Sequence, residues 1–300
     1  MDIHKTKIYS FARQVFPKWL KKLISAFLFA FWDTKSYFYD LRHYIRIQKP
    51  IVRLFGREWK TNLDIIDLVI TYDCNLKCFD CNLVCGQAPS KESLSLDQIN
   101  KFIKESVSIG KKWKMITLMG GEPLIHPDFL EILDLIINYK KIYSPNTIIR
   151  VLTNGFGPQV SSVLAKIPQE IQIINSHKTS PANERFICFT NAPIDCPAYK
   201  NADFSCGCLR TAQCGISLNK YGYYPCCVAG AIDRIFGFNK GMKKLPDKTD
   251  PEIIKSLELF CKYCGGFLYS GHKKSAGYAS PTWRQQLLSY KNKSLNFTNY

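Results

Sequence analysis

From residue 64 onward the chain alternates between two hydrophobic periods. "IIDLVITYD" is a short, β-branched apolar run and predicts a strand. "LSLDQINKFIKESV" repeats its apolar residues at helical spacing, with Ile99, Phe102, Ile103 and Val107 on one face and Ser95 as N-cap. "KMITLMGGEP" predicts a second strand ending in a glycine turn, and "HPDFLEILDLIINYKK" a second helix, whose entry accounts for His126 better than a catalytic base does. "TIIRVLTNG" predicts a third strand, "PQVSSVLAKI" a short helix and "EIQIINS" a fourth strand. Repeated βα units with apolar strands imply a parallel sheet or barrel, whose chemistry gathers at the C-terminal ends of the strands. Cys74–Cys81, Gly120–Pro123, Thr153–Gly155 and Asn175–Ser176 follow the four strands in turn.

Both flanks break this rhythm. In "KSYFYDLRHYIRIQ" Tyr37, Phe38, Leu41, Tyr44 and Ile45 recur at helical spacing. Upstream, "WLKKLISAFLFAFW" is apolar nearly all round from Phe27 to Trp32, with Lys21 and Lys22 beside it. Such a segment suits a helix lying on anionic lipid, or one packed on the main domain or a partner. Beyond residue 180, "RFICFTNAPID" reads as a fifth strand, followed by the cysteine-rich "CGCLRTAQCGISLNKYGYYPCC" with a hairpin, and then "FCKYCGGF". "SPTWRQQLLSY" predicts a last helix, with Ser280 as N-cap and Pro281 at its first position.

Composition narrows the classes. At 46% hydrophobic, the 300 residues have ample material for a core, and they have room for two compact domains or one with an appendage. The net charge is +17, and residues 1–60 hold 13 Lys/Arg against Asp2, Asp33, Asp40 and Glu58. An acidic partner is implied: a membrane surface, an anionic substrate or nucleic acid. The helical periodicity of the aromatics favours apolar packing over base stacking, which disfavours nucleic acid. Leu23–Trp32 has only ten uncharged residues and no small-residue cleavage site after it, so it reads neither as a membrane span nor as a signal peptide. The 13 cysteines are then thiols of a reducing compartment, the cytoplasm, and point to metal.

Cys74, Cys78 and Cys81 form a C-x3-C-x2-C set directly after the first strand. Three thiolates can hold three irons of a [4Fe–4S] cube and leave the fourth iron open. Zinc also uses closely spaced cysteines, and Cys85, just downstream, could complete a four-thiolate site.

With "GGEP" (Gly120, Gly121, Glu122, Pro123) after the second strand, residues 64–176 resemble the core of the radical SAM superfamily. The resemblance implies a [4Fe–4S] cluster on Cys74, Cys78 and Cys81, whose open iron is chelated by S-adenosylmethionine. It further implies reductive cleavage to a 5′-deoxyadenosyl radical that abstracts hydrogen from a substrate. The glycine turn would offer backbone polar groups to the methionine amino end, and Thr153, Asn154, Asn175 and Ser176 fall where the family contacts its cofactor. One departure is Asp80, which stands where the family places an aromatic residue beside adenine; the aromatic, Phe79, is one position earlier.

The C-terminal cysteines resemble the SPASM/twitch extensions, which bind an auxiliary [4Fe–4S] cluster. That likeness implies Cys226, Cys261 and Cys264 as ligands, with Cys214, immediately before the hairpin, as the fourth and Cys208 as the alternative. A zinc ribbon on the same thiols is the other reading. The interval from Ser176 to Cys208 is too short for two further βα units, so the barrel is abbreviated.

The expected architecture is an α/β abbreviated parallel (β/α) partial barrel over 61–200. It carries a basic helical appendage (1–60), an auxiliary-cluster region (201–270) and a C-terminal helix and tail (271–300). The expected activity is oxidation or epimerisation of a small molecule or glycan, with a flavodoxin or ferredoxin as reductant. Cys188, on the predicted fifth strand, would be the hydrogen donor for epimerisation. Peptide or RNA modification, and a non-catalytic metal or electron-transfer protein, are the alternatives.

Overall fold

The computed structural model describes residues 38–180, 188–247, 250–269, 277–290 and 297–300; the apolar run Phe27 to Trp32 lies outside them. Two short helices, α1 (38–46) and α2 (Lys49–Phe55), lead into β1 (Ile65–Thr71). Then follow α3 (Leu96–Ser108), β2 (Met115–Gly120), α4 (Phe129–Tyr143), β3 (Ile148–Thr153), α5 (Pro158–Leu164) and β4 (Gln172–Asn175). The helix start read at Ser95 is a full capping box: Ser95 Oγ accepts the Gln98 N–H, and Gln98 Oε1 accepts the Ser95 N–H.

The predicted fifth strand is absent from its described part. Cys188–Asp195 runs through a turn into a short 3₁₀ segment that begins at Pro193. Its carbonyls are taken by other loops: Phe189 accepts the Gly265 N–H and Thr190 the Ser280 N–H. The fifth strand comes later, as β5 (Ile216–Asn219), after α6 (Leu209–Gln213). It forms a hairpin with β6 (Gly222–Tyr224), and α7 (Cys227–Phe236), α8 (Pro251–Cys261) and α9 (Pro281–Tyr290) complete the described chain.

The hairpin expected inside the cysteine-rich extension is part of the main sheet. The strand order is β4-β3-β2-β1-β5-β6, with β5 parallel to β1 and only β6 antiparallel. The sheet is therefore open and mostly parallel, and β1 lies inside it, buried along all seven residues. One face, with Ile66, Leu68, Ile116, Leu118 and Val151, packs on Ile99 and Phe102 of α3 and Ile132 and Ile136 of α4. The other face carries Val69 and Met119 among the residues of α7 and α9, with Leu152 packed beside them. One register step below them, Ser217, Asp67, Thr117, Arg150 and Gln172 form a polar row across five strands.

Helix α1 and the start of α2 dock on the cysteine-rich half. The Tyr44 ring meets Tyr199 at 5.5 Å, and backbone bonds join Lys49 to Asn201 and Asp203 to Ile47. No helix among the described residues is long and apolar enough to cross a membrane.

Candidate functional site

The loop after β1 folds back at once. Asp73 N–H donates to Thr71 Oγ1 at 3.0 Å, and Leu76 N–H points at Cys74 Sγ at 3.4 Å. Asp80 and Val84 adopt positive φ, 52° and 59°, an uncommon conformation for residues with a Cβ. Asp80 turns inward: its buried carboxylate accepts the Gly277 N–H at 2.6 Å and the Thr190 hydroxyl at 3.4 Å, while Phe79 is exposed. The departure at Asp80 is thus a tether between this loop and two segments far along the chain.

The glycine turn after β2 lies hard against the same loop. Gly121 N–H donates to Thr71 and Glu122 N–H to the Asp73 carbonyl, both at 2.9 Å. A Cβ on Gly121 would overlap the Asp73 carbonyl oxygen and come within 2.8 Å of Cys74 Cβ. The missing side chains thus serve backbone approach. With these N–H groups paired, only carbonyl oxygens of the turn remain to meet an ammonium.

Glu122 is fully buried and takes three donors: Thr153 Oγ1 at 2.8 Å, Asn154 N–H at 2.7 Å and Leu124 N–H at 3.1 Å. Burial nonetheless raises its pKa. It clamps the end of β2 to the end of β3. Pro123, also buried, starts the next 3₁₀ turn, and His126 Nδ1 accepts the Asp128 N–H as the helix entry predicted.

A cavity of about 250 Å³ opens at these strand ends. Cys74, Cys78 and Cys81 line it together with Gly120, Gly121, Thr153, Asn154 and Ser176. Glu122, Pro123 and Asn175 do not; the Asn175 carboxamide covers Gly155 instead. Asn154 Nδ2 donates to Asn75 Oδ1 at 2.8 Å, joining β3 to the cysteine loop. Lys178, which the sequence reading left out, and Cys85, which it weighed only as a fourth thiolate, also line the cavity. The Cys85 thiol and the N–H groups of Cys85, Leu83 and Val84 pull Cys81 down to about 6, whereas burial pushes Cys74 up to about 12.

A second cavity, of about 20 Å³, is lined by Cys208, Cys226, Cys261 and Cys264 among Pro225, Phe260 and Phe267. Burial raises the Cys226 and Cys261 thiols, and the neighbouring cysteines add to it. Cys208, the alternative, lines this cavity, and Cys214, the first choice, does not. The two flank α6, roughly 9 Å apart in helical rise, and only the N-terminal one reaches this cavity. Among the described residues no group of three or more His, Cys, Asp or Glu side chains is gathered tightly enough to hold a single metal ion. Cys188 is in neither cavity; its thiol donates to the Tyr278 carbonyl at 3.1 Å.

Comparison with known proteins bears on the family. The family model of the Radical SAM superfamily matches residues 68–175. A probable GTP 3′,8-cyclase of Methanococcus maripaludis (strain C5) is 37% identical over 80 residues, covering 27% of this chain and 25% of that protein. The AdoMet-dependent heme synthase of Methanosarcina barkeri is 40% identical over 63 residues, covering 21% and 18%. The chain thus spans about a quarter or less of the length of these curated relatives. A solved structure, BtrN in complex with AdoMet and 2-DOIA, overlaps 42% of this chain and 51% of its own at a TM-score of 0.31 and 16% identity.

The superfamily's cofactors are a [4Fe–4S] cluster and S-adenosylmethionine, and the residues present fit them: three thiols on one cavity wall, facing a glycine turn that leaves carbonyl acceptors. Through residues 68–175 this chain carries a radical SAM domain.

Proposed function

We propose that the protein is a cytoplasmic radical SAM enzyme that oxidises a small molecule or glycan by two electrons, with Cys74, Cys78 and Cys81 holding the S-adenosylmethionine-binding cluster. When bound, cluster and cofactor supply a 5′-deoxyadenosyl radical that abstracts hydrogen. The carrying observation is the shared cavity of those three thiols, the Gly120–Gly121 turn, Asn154 and Ser176 at the strand ends. The Asp73–Glu122 and Asn75–Asn154 contacts hold its walls in register. Met119, Leu152 and Ile174 give the cavity an apolar side.

Cys208, Cys226, Cys261 and Cys264 would hold an auxiliary cluster able to accept an electron from the product radical, with a flavodoxin or ferredoxin as external reductant. The hydrogen bond that ties Cys188 to Tyr278, away from both cavities, favours oxidation over a Cys188-dependent epimerisation. None of the 13 cysteines is paired in a disulfide. A second reading, zinc on those four thiols, needs them to draw closer together, since as they stand they are not gathered tightly enough to hold a single ion.

Iron, sulfide and zinc per chain, measured after anaerobic reconstitution, test both readings, alongside 5′-deoxyadenosine formation on reduction. About eight irons, falling to about four in the Cys74/Cys78/Cys81→Ala variant, is the expected result. Four irons with one zinc would remove the auxiliary cluster. No loss of iron in that variant, or no 5′-deoxyadenosine from the loaded protein, would overturn the main reading.

A further inference from the structure

The α1–α2 pair has a buried face and an outer face of different chemistry. Inward, Tyr44, Ile47 and Val52 pack on the cysteine-rich half. Outward, Ile45, Leu54 and Phe55 are 49%, 74% and 65% exposed. Leu54 and Phe55 are consecutive at the end of α2 and stand between exposed Arg53 and Arg57. Arg46 of α1 donates to the carbonyls of Phe55 and Gly56 and lies 5.4 Å over the Phe55 ring, which joins both helices into one surface. Lys49 and Lys60, also exposed, add to its positive charge.

We propose that this face docks the protein on an anionic lipid bilayer. Leu54 and Phe55 would enter the acyl boundary, and the surrounding cations would meet headgroup phosphates. The combination selects that occupant. A second copy of the chain would cover the apolar pair but set cation against cation, whereas nucleic acid would take the cations and leave Leu54 without a partner. The sequence ahead of α1 has the same character: residues 1–37 hold seven Lys/Arg against Asp2 and Asp33, with the apolar run Phe27 to Trp32. This inference does not depend on the chemistry at the cysteines.

Flotation of the full chain with phosphatidylcholine vesicles, with and without phosphatidylglycerol, at low and high salt, tests it. The wild type is expected to float with the anionic vesicles at low salt and to be released at high salt. Leu54→Ser/Phe55→Ser should weaken partitioning at least tenfold, on the order expected for withdrawing two large apolar side chains. Arg53→Gln/Arg57→Gln should erase most of the preference for anionic lipid. A Leu54→Trp variant reads insertion directly, as a blue shift of the added emission when vesicles are present. Failure of the wild type to float, or flotation of both double variants like wild type, would overturn the proposal. Light scattering that shows a dimer lost in Leu54→Ser/Phe55→Ser without vesicles would assign the face to a second copy and overturn it as well.

Discussion

Arg234 donates from Nη2 to the carbonyl of Leu83 at 3.2 Å, and from Nη1 to that of Ala88 at 3.0 Å. The helix that begins beside Cys226, in the second cavity, therefore grips the loop that leaves Cys81, in the first. The guanidinium is fully buried, stacked 4.4 Å over Tyr72 and bonded to the Tyr290 hydroxyl, with the Glu92 carboxylate 4.0 Å away. Arg234→Met would leave two buried carbonyls and Glu92 without their cation. We expect a loss of about 2–4 kcal/mol in urea unfolding and faster loss of iron from the first site than from the second. An unchanged unfolding midpoint would show that the contact is dispensable.

Gly121 has no room for a methyl group, because the Asp73 carbonyl and Cys74 occupy the space where its Cβ would be. Gly121→Ala must push the cysteine loop away from the turn. Reconstituted Gly121→Ala is predicted to hold less than half of the first site's iron while keeping the metal of the second. Full iron at both sites would mean that the two loops separate at little cost.

Cys208 and Cys214 give a clean comparison. Cys208→Ala should strip the metal from the second cavity and leave the first intact, since Cys208 lines the second cavity. Cys214→Ala should leave the metal at both sites. Metal analysis of the two variants side by side decides, and the reverse pattern would return the ligand role to Cys214.

Asp67 carries the clearest pH signature. Burial raises its pKa to about 6, opposed by the Thr117 hydrogen bond and the charge of Arg150. Its pKa is higher folded than unfolded, so the folded state binds the proton more tightly. Stability should therefore rise as pH falls from 7 through about 6 towards 4. A shift of roughly two units corresponds to at most about 3 kcal/mol over that window. Asp67→Asn should be more stable than wild type at pH 7, with the difference closing by pH 4. A difference that does not change with pH would contradict the assignment.

The order of strands and helices up to β4 could be read along the chain because it rests on local signals. Period-two and 3.6-residue patterns, the Ser95 cap and the glycine turn each act within a few residues. The Cys74–Cys78–Cys81 set was legible for the same reason, since a loop's spacing alone limits what its thiols can hold together.

Tertiary structure decided what depends on partners far apart in sequence. The hairpin of β5 and β6 looked like part of a separate extension, yet Ile66 and Leu68 pair with Ile216 and Leu218. A strand's apolar pattern states that it will be buried but not beside which neighbour. Asp80, unusual as a cofactor contact, ties to Gly277 and Thr190; Glu122, expected at the cofactor, clamps Thr153 and Asn154. The two ends of a five-residue helix part Cys208, which lines a cavity with Cys226, Cys261 and Cys264, from Cys214, which does not. Local periodicity determines elements and the chemistry that one loop can hold. Packing of loops more than a hundred residues apart decides which side chains share a cavity, because only there do burial and hydrogen bonding select among equivalent residues.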